Sequence, residues 1–131
     1  MWRSVAAVVA GCLAMIVIVG LMIMIVGIFF PAAIPNNETD PSLPWVLFIF
    51  AYYLFAAGVG GYLTSHIAAT AKFRHVQILA ILVLCLGLIQ FWAGHGKQPA
   101  WYLVAQILVE LLGVILGGSL LRRRVSSQSP R

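Results

Sequence analysis

Four long apolar runs constrain the fold of this chain more than any other feature. They cover about residues 5–30, 45–69, 74–93 and 100–121. A bilayer core about 30 Å thick takes roughly 20 helical residues to cross, and each run is long enough. A membrane β-barrel would need alternating segments of about 10 residues, which the sequence lacks. The sequence therefore predicts an all-α integral membrane protein, a bundle of four transmembrane helices forming a single domain over residues 1–121.

The composition agrees with this class of protein. Hydrophobic residues make up 63% of the chain and charged residues only 8%, far from the balance of a soluble domain. The first apolar run is much longer than the roughly 7 to 15 residues of a signal-peptide core. We therefore expect it to stay in the protein as a membrane helix, and we expect the lipid bilayer to be the main partner of the chain.

The basic residues predict the orientation of the bundle. Of the eight lysines and arginines, this topology places only Lys97 on the outer side. The positive-inside rule then puts both termini in the cytoplasm. The tail at 122–131 is basic and polar and is expected to be disordered. Because topology accounts for the positive charge, the charge does not indicate a nucleic-acid partner.

The loops predict which helices are neighbours. The first outer loop, "PAAIPNNETDPSLP", is rich in proline and is expected to be an irregular surface segment. The second outer loop, "GHGKQP", is short enough to make spans three and four antiparallel neighbours. The short inner turn at Lys72 does the same for spans two and three.

Small residues recur at helical spacing on spans two and four. In lipid, helices associate by close packing, which small side chains permit. The stripes consist of Ala57, Gly61, Ser65 and Ala68 on span two, and of Gly113 and Gly117 on span four. Two interpretations remain open: the stripes pack the four helices on one another, or one stripe is the contact surface of a homo-oligomer. The hydroxyls of Thr64 and Ser65 are expected to bond to carbonyls four residues back.

Glu110 is the residue in the spans that most requires an explanation. It lies near the predicted midplane, where insertion of a carboxylate costs at least about 2.5 kcal/mol. It shares a face with Gln106 one turn earlier. In one interpretation, a protonated Glu110 donates a hydrogen bond to a facing Gln90, Tyr52 or Tyr53 and joins helices. In the other, Glu110 carries a proton or cation along a path lined by Gln106 and Gln90.

No motif for catalysis, a cofactor or a metal ion occurs in the sequence. Cys12 and Cys85 have no ligand-type spacing and are expected to be buried apolar thiols. His66 is expected to stack on Tyr62, one turn earlier, near the cytoplasmic face. We therefore predict a protein without enzymatic activity, cofactor or metal.

Three stretches between Ala56 and Arg124 carry a family resemblance. They are "AAGVGGYLTSHIA", which is followed by a basic residue and a histidine, then "PAWYLVAQ" and "GVILGGSLLRRR". They resemble a diffuse group of small four-span bacterial membrane proteins. The resemblance implies a place in the bacterial cytoplasmic (inner) membrane and implies no activity.

These observations lead to two functional hypotheses. In the first, the chain is an accessory or assembly component that contacts a membrane-protein partner or a second copy through the smooth faces of spans two and four. In the second, it is an oligomeric transporter or channel in which Glu110 carries a proton or cation.

Overall fold

The computed structural model describes residues 2–31, 42–68, 72–94 and 96–126, and these residues form four helices. The helices are α1 (Trp2–Phe29), α2 (Leu43–Ile67), α3 (Lys72–Gly94) and α4 (Ala100–Ser126). Each is long and apolar enough to cross a membrane, over Val5–Phe29, Leu43–Ile67, Arg74–Gly94 and Ala100–Leu120. The prediction of an all-α, four-span membrane fold is confirmed, with span limits within two residues of those expected. Most of the first outer loop, His95 and residues 127–131 lie outside the described residues.

Local sequence explains where the helices begin and turn. Pro44 stands in the first turn of α2, where its missing N–H costs nothing. After α3, the carbonyl of Gly94 accepts hydrogen bonds from the N–H groups of Lys97 (3.0 Å) and Gln98 (3.2 Å). Gly96 has a φ of 87°, in the left-handed region that glycine adopts most easily. This tight turn makes α3 and α4 antiparallel neighbours, as predicted.

Helix α4 ends later than expected. It continues to Ser126, whereas the sequence predicted a disordered tail from residue 122. Leucine and arginine are good helix formers, and leaving the hydrocarbon core does not itself end a helix. The helix therefore extends over the first five residues of the segment that was expected to be a tail.

The four helices form a ring in which neighbouring helices are joined to different extents. The most extensive contacts join α2 to α4, and α1 packs on α2 while α3 packs on α4. Helices α2 and α3 share a smaller interface than these three pairs, as expected for helices at opposite corners of the ring. Contacts between α1 and α3 are sparse, and α1 barely reaches α4. We call the gap between the first and third helices the α1–α3 seam.

Glycine contacts hold α2 and α4 together. A side chain at Gly61 would collide with the main chain of Val114, and one at Gly117 would collide with the main chain of Gly58. A Cβ at Gly113 would lie 2.7 Å from the Cβ of Ala57. The small-residue stripes of spans two and four thus face each other within one chain. Ala57, Ser65 and Ala68 are buried along the same helix.

Helix α1 is attached mainly through its first half. A side chain at Gly11 would meet the carbonyl oxygen of Gly60 at 2.7 Å, so the two backbones approach closely. At this crossing, Thr64 donates its hydroxyl to the carbonyl of Ala7, 3.2 Å away. The expected bond from Thr64 within its own helix was therefore wrong, because the close approach brings a carbonyl of α1 within reach. Ser65 does bond within its helix, to the carbonyl of Tyr62 three residues back (2.9 Å).

The rest of α1 is largely outside the bundle. Only 6% of its most apolar stretch is buried inside the protein, against 39% for α4. A Cβ added at Gly20 or Gly27 would meet nothing within 4 Å. The second half of α1 therefore lies mostly at the surface of the bundle, with Val26 as its buried residue.

Candidate functional site

A cavity of about 340 Å³ lies in the α1–α3 seam. One wall comes from α1, through Cys12, Met15, Ile16, Val19, Gly20 and Ile23. The opposite wall comes from α3, through Val83, Leu86, Gly87 and Gln90. The floor is formed by Tyr53 and Ala56 of α2 and by Glu110 of α4. All four helices therefore contribute to one site, and its walls are almost wholly apolar.

The cavity lies at the depth of the bilayer midplane. Glu110 is halfway along the span Ala100–Leu120. At 1.5 Å per residue, it is roughly 15 Å from either end of that span. The wall residues of α1 and α3 also include the middle of their spans. An occupant of the cavity would therefore be surrounded by hydrocarbon at the level of the lipid tails.

The cavity opens sideways, toward the lipid-facing surface. Two of its wall residues, Ile16 on α1 and Leu86 on α3, are 58% and 44% exposed. Gln90 is exposed as well, which places it at the rim. The glycine at position 20 leaves the α1 wall without a side chain, with open space in front of it. The mouth of the cavity is thus on the lipid-facing surface of the bundle, between α1 and α3.

The floor of the cavity is polar and hydrogen-bonded. Gln106 donates its side-chain Nε2 to Oε1 of Glu110 at 3.4 Å, and both residues are only 8% exposed. Tyr53 lines the same cavity, and its side chain lies close to those of Gln106 and Tyr52. The rings of Tyr52 and Tyr53 stack with centroids 4.6 Å apart. We call these four residues the polar network.

The polar network provides hydrogen-bond partners, which the interior of a membrane lacks. Polar groups without partners are costly in hydrocarbon, where no water can replace a missing hydrogen bond. Within the described parts of the chain, every buried side-chain nitrogen or oxygen has a hydrogen-bond partner. The network therefore makes a buried glutamate tolerable, and it holds the side chain of Glu110 at the floor of the cavity.

The three residues predicted as an intramembrane polar site lie at or beside one cavity, and each has a different role there. Glu110 is at the floor, Gln106 supports it from one turn away, and Gln90 is at the exposed rim on α3. The hydrogen bond described for Glu110 comes from its helical neighbour Gln106, in place of the expected direct bond to a facing residue. Tyr53 joins the site through Gln106.

The sequence predicted neither the contribution of α1 to the cavity nor the exposure of Cys85. Cys12 is half-buried at the cavity wall, whereas Cys85 is exposed on α3, so the expectation of two buried thiols was wrong for Cys85. An apolar helix without a polar face gives no signal of which side faces inward. The lack of any side chain at Gly20 was visible in the sequence, but its position in the seam was not.

The two described histidines, His66 and His75, lie near the ends of α2 and α3. The ring of His66 lies parallel to that of Tyr62, with centroids 6.0 Å apart and planes at 10°, so the predicted stacking is confirmed. His75 is buried and has an interaction partner. Among the described residues, no three His, Cys, Asp or Glu side chains gather as metal ligands would.

Comparison of the chain with protein-family models, with curated proteins and with solved structures found no match. No relative therefore supplies an activity. The function has to be argued from the seam, its cavity and the polar network.

Proposed function

We propose that this chain is a small, non-enzymatic integral membrane protein that acts as an accessory component, by holding another membrane-embedded molecule in the cavity of the α1–α3 seam. One observation carries the proposal: of the neighbouring helices in the ring, α1 and α3 share the smallest interface, and the cavity between them reaches Glu110. A glutamate that served only to join helices would be packed between them on all sides. Here it also lines a cavity that lipid-soluble molecules can enter.

The contact surface in this proposal differs from the one that the sequence suggested. The smooth faces of α2 and α4 pack on each other, so they are occupied within a single chain. External contacts by those faces would require the central helix pair to separate. The seam is accessible without any such rearrangement, which favours it as the site of recognition.

We further propose that both termini are cytoplasmic and that the protein resides in the inner membrane of a bacterium. The distribution of basic residues supports the orientation, because Arg74 begins one span on the inner side and Lys97 alone is placed outside. The likeness to small four-span bacterial proteins supports the location. Assembly into a homo-oligomer remains part of the same proposal, with the exposed face of α1 as the available surface.

Site-specific photo-crosslinking tests whether the seam is occupied. A photoreactive amino acid is placed at Ile16 or Leu86, in the seam, and at Leu108 or Leu112, which are exposed on α4 and lie outside the cavity lining. After irradiation of native membranes, we expect a discrete adduct at the seam positions and only dispersed lipid labelling at the controls. The same dispersed labelling at all four positions would contradict the proposal.

A second candidate function is favoured by the depth and access of Glu110. Its carboxyl group lies at midplane depth, has a polar neighbour in Gln106, and is reached from one side through a cavity with Gln90 at its rim. Intramembrane carboxylates mark proton and cation pathways in many transporters. In this alternative, an oligomeric form of the chain carries a proton or cation by way of Glu110. Measurement of proton or cation flux across the membrane of liposomes that contain the protein tests this alternative.

A further inference from the structure

We infer that the occupant of the seam cavity is a neutral, lipid-soluble molecule with a hydrocarbon chain and a hydrogen-bonding oxygen at one end, of the kind found in isoprenoid or fatty alcohols and quinones. The inference rests on the proposed function and names the chemical class that the site would hold. It follows from the walls, the floor, the depth and the size of the cavity.

The walls match a hydrocarbon chain. Met15 and Val19 on α1 and Val83 on α3 line the cavity, and the flexible methionine can adapt to a branched chain. None of the residues on the two walls carries a formal charge. An occupant would therefore be held along its length by dispersion contacts and not by ion pairing.

The floor matches an oxygen-containing end group. One oxygen of Glu110 accepts the hydrogen bond from Gln106, and the same side chain lines the cavity. A carboxyl group has two oxygens and can take part in more than one hydrogen bond. A hydroxyl of the occupant can thus donate to the second oxygen of Glu110, and a carbonyl can accept from the hydroxyl of Tyr53, at a level where the bilayer itself offers no partner.

The depth of the floor excludes a charged end group. Glu110 is roughly 15 Å from each end of its span, so a phospholipid head group would have to leave water and cross half of the hydrocarbon core to reach it. Bringing an ion to that depth is costly. Moving a hydroxyl or carbonyl group to the same depth costs far less free energy than moving an ion. The polar network then replaces the hydrogen bonds that the group made to water.

The size of the cavity favours part of a small molecule over a transmembrane helix as the occupant. A bare cylinder 10 Å wide and one helical turn high has a volume of roughly 420 Å³, which exceeds the 340 Å³ that the cavity provides. That volume lies at the small end of pockets that bind organic ligands. It accommodates an end group with the first part of a chain, while the rest of the chain leaves through the seam past Leu86.

Binding of a matched pair of probes to the purified protein in detergent tests the inference. The probes are farnesol, an isoprenoid alcohol, and farnesane, a hydrocarbon with the same branched skeleton. Native mass spectrometry should show farnesol bound to the wild type roughly tenfold more tightly than farnesane, because only farnesol can pair with the floor. Equal binding of the two probes would overturn the inference.

Substitutions at the floor and the wall of the cavity test which residues the probes contact. Glu110→Gln keeps a hydrogen-bonding group and should bind farnesol within a few-fold of wild type, whereas Glu110→Leu should lose the preference for farnesol over farnesane. If Glu110→Leu does not fold, Gly20→Leu decides instead, since a side chain there meets nothing within 4 Å and extends into the cavity. Gly20→Leu should weaken the binding of both probes roughly tenfold, whereas Gly27→Leu should leave their binding unchanged. Unchanged binding in Gly20→Leu would overturn the inference.

The mass of the photo-adduct formed in the seam separates this inference from the proposed function. An adduct with a small neutral lipid supports both. An adduct with a protein or with a phospholipid would support the seam as a recognition site and overturn the inference about its occupant. The absence of a discrete adduct would overturn the proposed function itself.

Discussion

Gly117 on α4 lies so close to Gly58 on α2 that a side chain at position 117 would collide with the main chain of Gly58. This contact joins the two helices that make the most extensive interface of the bundle. It also separates the glycines of this chain into two kinds. Some permit close packing inside the protein, whereas Gly20 and Gly27 face open space.

Substitution at a packing glycine should disrupt the bundle. Gly117→Val forces a branched side chain against backbone that cannot move aside, and overpacking of this kind costs about 1–3 kcal/mol or more. We expect a lower unfolding temperature in detergent and a loss of the monodisperse peak on size exclusion. Gly27→Val serves as the control and should behave as wild type. Equal stability of the two variants would contradict the packing described for α2 and α4.

The hydrogen bond from Thr64 to Ala7 should contribute to the attachment of α1. Thr64→Val keeps the shape of the side chain and removes the donor, and hydrogen bonds between membrane helices contribute about 0.6 kcal/mol on average, up to about 1.7. We expect a loss in that range in the free energy of unfolding in mixed micelles. Ser65→Ala should cost less, because its hydroxyl bonds within its own helix. The reverse order would show that the bond to Ala7 does not hold α1.

Flux measurements distinguish binding at the cavity from transport through it. If Glu110 serves recognition, liposomes containing the purified protein should show no pH-dependent proton or cation flux above empty liposomes. Glu110→Gln should then fold as the wild type does, since glutamine can still pair with Gln106. Flux that is present in wild type and abolished in Glu110→Gln would instead establish the transporter and make Glu110 its carrier.

Labelling of single cysteines tests the proposed orientation. In a variant lacking Cys12 and Cys85, a cysteine replaces either Lys97 or Arg74, both of which are exposed. A membrane-impermeant thiol reagent applied to intact cells should modify the cysteine at position 97, and reach the one at position 74 only after permeabilisation. The opposite pattern would invert the topology and place both termini outside.

Much of the fold could be predicted from the sequence because the membrane leaves few alternatives. Four apolar runs of sufficient length determine the number of helices, and turn chemistry at Gly96 determines how α3 meets α4. The stacking of Tyr62 on His66 follows from helical spacing alone. Of the two neighbour relations predicted from the short loops, that of α3 and α4 was correct, whereas α2 and α3 meet only as a diagonal pair. The most extensive interface joins α2 and α4, which are not consecutive in the chain.

The cavity could not be predicted, and the reason lies in α1. A helix that is apolar on every side can rotate about its axis at little cost in free energy, because every face that it can turn toward lipid is apolar. The sequence therefore marked Glu110 and Gln106 as a polar face but could not show that Cys12 and Gly20 would stand opposite Gly87 across a gap. The partner of Thr64 was missed for the same reason, because it lies on α1.

The most direct test of the central claim asks whether the occupant of the seam sits inside the cavity. A photoreactive residue at Leu86 is combined with Gly20→Trp, which fills the α1 wall, or with Gly27→Trp, which lies on the same helix outside the cavity lining. We predict that the discrete adduct at position 86 disappears in the Gly20→Trp protein and persists in the Gly27→Trp protein. An adduct that survives in both would mean that the molecule binds the outer surface of the bundle and that the cavity is not its site.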